Sequence, residues 1–138
     1  MRILGIDFGE KRIGLAISDP LGITAQGIDT LLRAQKSQWQ ESLLKLCEEY
    51  GVKEVVIGLP VNMNGSLGPK AKEVMDLVPE LGKVLQVAVK TWDERLSSRQ
   101  GGRLMIEEGL SRKKQKRHSD RLAATLLLQN YLESKRQQ

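Results

Sequence analysis

Residues 2–18 read RILGIDFGEKRIGLAIS, in which two β-favouring apolar runs flank a short polar turn. This pattern predicts a β-hairpin whose first strand is buried in the centre of a sheet. Asp7 stands near the end of the first run, where an ionised carboxylate is costly unless it is paired or binds a cation. Gly9 follows it and leaves the backbone open to a ligand. The hairpin therefore predicts an acid at a functional edge, and an Asp that only caps the turn is the plain alternative.

The composition describes an ordinary globular protein. Its 138 residues, 40% hydrophobic and 28% charged, predict a single domain over residues 1–138. The one cysteine, Cys47, cannot form an internal disulfide and has no cysteine partner for zinc, which fits a reducing cytosol. No apolar segment approaches the length of a membrane span. We therefore expect a cytoplasmic protein that has no membrane partner, and its 4% aromatic content argues against base stacking as its main mode of binding nucleic acid.

The net charge of +5 is concentrated in residues 111–121, and outside this stretch basic and acidic residues are equal in number. A concentrated basic run beside an acidic site suggests a polyanion held near metal-binding carboxylates. A solvated loop without a partner is the alternative. The predicted nucleic-acid-binding residues of this run are Arg112, Lys113, Lys114, Lys116, Arg117 and Arg121.

Periodicity and turn residues predict an α/β domain with five strands, the first three forming an antiparallel meander. After the hairpin, the predicted strands are 23–28, 54–59 and 85–92. The predicted helices are 37–50, capped by Ser37 and ended by Gly51, one from 68 that Pro79 kinks or divides, 95–108, and 119–134 after a basic loop. Because a helix precedes it, the fourth strand is expected to lie parallel to the first.

Further polar residues are predicted at the edge of the sheet that carries Asp7. Asp93 and Glu94 follow the fifth strand, and Asp120 leads the apolar stripe of the last helix, so that it is expected to point at the sheet. An acid that only favours the first helical turn is the alternative for Asp120. In the loop after the fourth strand, Asn62 and Asn64 suit either contact with a substrate or ordinary Asx turns.

Three or four carboxylates brought together would repel one another unless cations lie among them. Oxygen ligands without a convergent His or Cys suit Mg²⁺ or Mn²⁺. Two such ions can activate a water and stabilise the leaving oxygen of a displacement at phosphorus. The acids and the basic run together predict metal-dependent hydrolysis of nucleic-acid phosphodiesters.

Four motifs in order resemble the YqgF family, also called RuvX: DFG at 7–9, GLPVNMNG at 58–65, DERLSS at 93–98, and K-x-K-x-x-x-D followed by AA and LQ-x-YL within 114–132. Members are described as Holliday junction resolvases and as nucleases that mature the ends of pre-16S ribosomal RNA. The resemblance implies an RNase H-like fold, with a five-stranded mixed sheet flanked by helices on both faces. It also implies metal-binding acids at Asp7, Glu94 and Asp120, with Asp93 beside them.

One departure from resolvases of the RuvC type is that strand 54–59 brings no acid to its carboxyl end, and Glu94 is the expected substitute. The resemblance favours maturation of the 5′ end of pre-16S rRNA over resolution of branched DNA. A protein that binds structured nucleic acid without catalysis is a further alternative. An ATP-binding module with a similar Asp-x-Gly hairpin would need a second domain. A monomer or a homodimer is compatible with these readings.

Overall fold

The computed structural model describes residues 1–96 and 112–136, with side chains at 1–95 and 121–136. A five-stranded mixed sheet in the order β3-β2-β1-β4-β5 forms its centre. β1 pairs antiparallel with β2 and β2 with β3, whereas β4 lies parallel to β1 and β5 parallel to β4. The predicted antiparallel meander of the first three strands and the predicted parallel pairing of the fourth strand with the first are confirmed. The strands are β1 (Arg2–Phe8), β2 (Arg12–Ser18), β3 (Ala25–Leu32), β4 (Val52–Leu59) and β5 (Ala88–Asp93).

Helices cover both faces of this sheet, as predicted. Helices α1 (Lys36–Tyr50) and α2 (Pro69–Leu85) lie on one face, and α3 (Arg112–Arg136) lies on the other. A short 3₁₀ helix, Glu94–Leu96, follows β5. None of the helices in the described ranges is long and apolar enough to cross a membrane.

The alternation of β1 decides which face each of its side chains meets. Leu4 and Ile6 are buried against α1 and α2. Ile3 belongs to the second core, under α3. Gly5 also faces α3, because a Cβ placed on it would lie 2.9 Å from Cβ of Leu128. The next residue in this odd-numbered series is Asp7, so the acid is on the α3 face.

The boundaries of β3 differ from the prediction of 23–28. The carboxylate of Asp19 accepts hydrogen bonds from the backbone N–H groups of Ile23 at 2.6 Å and Thr24 at 3.0 Å, which holds both residues in the turn. The strand therefore starts at Ala25. It continues to Leu32 because it pairs along the whole length of β2.

The second helix is continuous through Pro79, so the expected division does not occur, and it ends at Leu85. Leu81 and Leu85 are buried on its inner face, which extends the helix over the start of the predicted fifth strand. Gln86 then adopts a left-handed conformation, with φ of 56°, and ends the helix. β5 consequently begins three residues later than predicted, at Ala88.

The last helix begins at Arg112, not at residue 119, so the predicted basic loop is helical. Residues 112–117 are Arg, Lys and Gln, which are good helix formers, and the helix packed over 121–136 propagates through them. In α1, Ser37 lies inside the helix and gives no cap, whereas Gly51 ends the helix with φ of 64°, as predicted. β4 starts at Val52 instead of 54. The predicted helix 95–108 lies outside the described residues beyond the 3₁₀ turn.

Candidate active site

The carboxyl ends of β1 and β4 bring two of the predicted acids together. Ile6 pairs with Ile57, so Asp7 and Gly58 are neighbours on the face that α3 covers. The side chain of Glu94 folds over Gly58 and shares a hydrogen bond with the Asp7 carboxyl group. The structure thus places two carboxyl groups from separate elements in direct contact at one edge of the sheet.

This contact changes the acidity of Glu94. Burial raises the pKa of Glu94 to about 9, and the hydrogen bond and negative charge of Asp7 add to the rise. Lys70 opposes the rise, and Asp93 contributes to it. Near neutral pH, Glu94 therefore keeps its proton. A cation placed between the two groups would remove the need for that proton.

Gly58 makes the position of Glu94 possible. A Cβ on Gly58 would lie 2.8 Å from both Cγ and Cδ of Glu94, closer than real Cβ contacts come. The missing side chain therefore leaves the space that the carboxyl group fills. β4 carries no acid at this edge of the sheet, and it thus accommodates Glu94, which follows β5. A glycine within the β-branched run EVVIGL is a sequence signal for such a close approach.

Asp93 is arranged differently from Glu94. The Arg95 side chain donates to both Asp93 carboxylate oxygens, from Nε to Oδ1 at 3.1 Å and from Nη2 to Oδ2 at 2.6 Å. The backbone N–H of Arg95 also donates to Oδ1, at 2.9 Å. The Arg95 guanidinium holds the pKa of Asp93 below its ordinary value. Nη1 of Arg95 also reaches the carbonyls of Asn62 and Met63, at 3.4 Å each. Arg95, which sequence reasoning missed, therefore ties Asp93 to the loop after β4.

In that loop, the two asparagines form internal turns. The Asn64 carboxamide oxygen accepts from the N–H of Ser66 at 3.0 Å and from its hydroxyl at 2.6 Å. Nδ2 of Asn62 donates to the same hydroxyl at 3.1 Å. Gly65, with φ of 86°, allows the tight turn. Both side chains are exposed, and their bonds match the Asx-turn alternative.

Helix α3 crosses the sheet antiparallel to β1 and β4. Near its carboxyl end, Lys135 donates to Glu54 at the start of β4, at 3.0 Å. Further back along the helix, Ala124 and Leu128 lie over Gly5 in the middle of β1. The amino-terminal part of α3 is therefore directed toward the strand ends that carry the two acids.

The position of residue 120 follows from this packing. It stands four residues before Ala124, just over one helical turn, which is a rise of about 6.0 Å. Asp7 stands two residues beyond Gly5, a distance of about 6.6 Å along the strand. The helix thus brings position 120 to the same edge of the sheet, and its side chain lies outside those that the structure describes.

The basic residues of this helix divide into two groups. Arg121 lies over Gly27 of β3, and its Nη2 is 3.2 Å from Asp29, whose side chain is 99% exposed. It therefore contacts the protein's own β3. The other five predicted residues occupy the amino-terminal turns of α3, and their side chains lie outside the described set: Arg112, Lys113, Lys114, Lys116 and Arg117.

Comparison with known proteins identifies the family. A model described as "RuvX: Holliday junction resolvase" matches residues 1–134. The chain belongs to the RuvX family. A relative from the Alaska strain of Clostridium botulinum is 50% identical over 133 residues, covering 96% of this chain and 97% of its own. One from the Hall strain is 48% identical, covering 97% and 98%. Both RuvX relatives are named "Putative pre-16S rRNA nuclease".

Two solved structures share the fold of this RuvX protein. Thermus thermophilus RuvC, in complex with a Holliday junction substrate, superposes with a TM-score of 0.59 at 16% identity and covers 99% of this chain and 96% of its own. The fowlpox virus Holliday junction resolvase gives 0.56 at 16% identity, with 97% and 99% covered. The predicted RNase H-like fold is confirmed.

Proposed function

We propose that this RuvX protein is a metal-dependent nuclease that hydrolyses phosphodiester bonds of RNA and matures the 5′ end of pre-16S rRNA. The contact between Asp7 and Glu94 carries the proposal, because it places paired carboxyl groups where strands of this fold end at a ligand-binding edge. The names of the full-length relatives, which are nearly half identical to it, support the RNA substrate.

The residues fit a hard divalent cation. Burial and the adjacent Asp7 carboxyl group both disfavour a second negative charge on Glu94, and a divalent cation bound between the two groups would relieve that repulsion. We assign Asp7, Glu94 and Asp120 as the residues that hold Mg²⁺ or Mn²⁺. When bound, such ions activate water for attack on phosphorus and stabilise the leaving oxygen. Asp93 belongs to the same edge, but because both of its oxygens bond Arg95, its proposed role is to fix the end of β5.

The surrounding residues position these acids. Gly58 leaves room for Glu94, and Arg95 fixes the backbone that presents it, because its guanidinium joins Asp93 to the loop after β4. We assign the basic turns at the start of α3 to the phosphate backbone of the substrate, beside position 120. In this arrangement, α3 holds the nucleic-acid strand from one face of the sheet, and the acids lie beneath that strand.

A second candidate is resolution of four-way DNA junctions, which the description of the matching family model favours. A basic surface contacts the phosphates of either polymer, and the same residues would serve on DNA. A resolvase would act as a two-fold dimer, because it cuts symmetric strands.

The test is cleavage of two substrates, a precursor of 16S rRNA and a four-way DNA junction, in Mg²⁺ or Mn²⁺. We expect wild-type protein to cut the RNA at its 5′ end and the Asp7→Asn variant to cut neither substrate. Cleavage of the junction alone would support the second candidate. Binding of both substrates without any metal-dependent cleavage would contradict the nuclease and leave a binding module.

A further inference from the structure

We propose that Lys70 binds a phosphate of the substrate strand next to the scissile position, from the face of the sheet opposite to α3. This inference rests on the proposed nuclease function and adds a contact to it. Lys70 lies in the first turn of α2, outside the basic run at 111–121 in which the sequence concentrates its net charge.

The surface around Lys70 is concave on both of its sides. A cavity of about 720 Å³ is lined by Lys70 together with Glu94, Arg95 and the loop after β4. A second cavity of about 320 Å³ is lined by Phe8, Gly9 and the charged residues Glu10, Arg33, Lys70 and Glu73. Lys70 therefore lies between two cavities. One contains the Glu94 carboxyl group, and the other lies beside the turn that follows Asp7. A strand that lies across these acids would pass the ammonium group.

Stabilisation of the fold does not account for this lysine. Its Nζ is 3.1 Å from a carboxylate oxygen of Glu10, but the two side chains are 66% and 72% exposed. Pairs this exposed contribute little to stability. A lysine in the first turn also opposes the helix dipole, whose amino-terminal end is positive. Lys70 therefore lies beside the carboxyl pair in an ion pair that adds little stability, and a phosphate there would replace Glu10 as its partner.

Lys70 and α3 approach the carboxyl pair from different faces. α3 covers the face toward which Asp7 points, and α2 covers the other. Cations on both sides of the acids would hold the nucleic-acid strand from both faces of the sheet. Glu10 competes with the substrate for Lys70, so loss of the Glu10 charge should strengthen binding. Loss of the Lys70 charge and loss of the Glu10 charge should therefore change the binding affinity in opposite directions. Loss of either partner of a purely structural ion pair would weaken binding in both cases.

The test is binding of a single-stranded RNA oligonucleotide as a function of salt, in EDTA so that no cleavage occurs. For Lys70→Gln we expect about fivefold weaker binding and a slope of log K against log salt that is smaller by about 0.7. Glu10→Gln should bind more tightly than wild type, and Lys70→Arg should keep the wild-type slope. Lys83→Gln, in the last turn of the same helix, is the matched control and should leave both quantities unchanged.

Two results would overturn the inference while leaving the nuclease intact. One is a Lys70→Gln protein that cleaves and binds with the wild-type slope. The other is weaker binding by both Lys70→Gln and Glu10→Gln, which would mean that the pair acts only through the fold. Wild-type protein that neither binds the RNA nor cleaves any substrate would overturn the proposed function together with this inference.

Discussion

Substitution of Gly58 by alanine should remove activity without removing the fold. The added Cβ would lie 2.8 Å from Cγ and Cδ of Glu94, whereas carbon atoms in ordinary contact are about 3.5–4.0 Å apart. β4 is paired on both sides, with β1 and β5, so the strand cannot withdraw. The Glu94 side chain must therefore move by about 1 Å, which disturbs its contact with Asp7.

The size of the effect follows from this displacement. A misplacement of about 1 Å in a catalytic constellation costs roughly a hundredfold in rate. Stability should change little or rise, because alanine in a strand is favoured over glycine by about 0.5–1 kcal/mol. Gly58→Ala is thus expected to lose about two orders of magnitude in cleavage rate while its unfolding midpoint stays close to that of wild type.

Gly82→Ala is the matched control for this variant. A Cβ on Gly82 meets only the Val87 carbonyl within 4 Å, at 4.0 Å, and the residue lies inside α2. It should gain about 0.8–1.0 kcal/mol of stability and keep full activity. Cleavage rates and urea unfolding of both variants test the account. A Gly58→Ala protein that cleaves at the wild-type rate would refute the assignment of Glu94 to the site.

Two further predictions concern pH. Without divalent cations, the free energy of unfolding should fall as pH rises from the ordinary glutamate pKa of 4.5 to about 9, because folded Glu94 keeps a proton that the unfolded chain releases. Urea titrations should show a flatter dependence of unfolding free energy on pH for Glu94→Gln, and equal slopes would contradict the raised pKa of Glu94. At the other end of the sheet, burial raises the pKa of Glu54, but hydrogen bonds from Lys90 and Lys135 outweigh it, so the pKa is lowered. Glu54→Gln should cost about 1.5–3 kcal/mol at neutral pH with cleavage unchanged. This difference should vanish as pH falls through the lowered pKa of Glu54, and a constant difference in acid would argue against the ion pairs.

The arrangement of the sheet could be predicted from local patterns. The two apolar runs of residues 2–18 and the glycine between them predicted the hairpin, and the helix before β4 predicted its parallel pairing. Errors arose where two patterns overlap. Leu85 fits both the stripe of α2 and an alternating strand, and only burial against the sheet decides for the helix. The basic residues 112–117 were predicted as a loop from their charge, although their helix propensity is high.

The candidate site could be predicted less completely. The sequence places Asp7 and Glu94 at strand ends, but their hydrogen bond depends on Gly58, which is distant in sequence from both. The pairing of Asp93 with Arg95 could not be predicted, because a carboxylate at a strand end serves equally as a ligand or as an anchor. Lys70 was missed because it lies outside the basic run, and only the folded chain brings it beside Glu94.

Mn²⁺ binding followed by electron paramagnetic resonance tests the proposed metal site itself. We expect wild-type protein to bind Mn²⁺ and each of Asp7→Asn, Glu94→Gln and Asp120→Asn to weaken the affinity at least about tenfold. Asp76→Asn, an exposed acid on α2, is the control and should bind as wild type does. Equal Mn²⁺ affinity in wild type and the three variants would contradict a metal site formed by these acids.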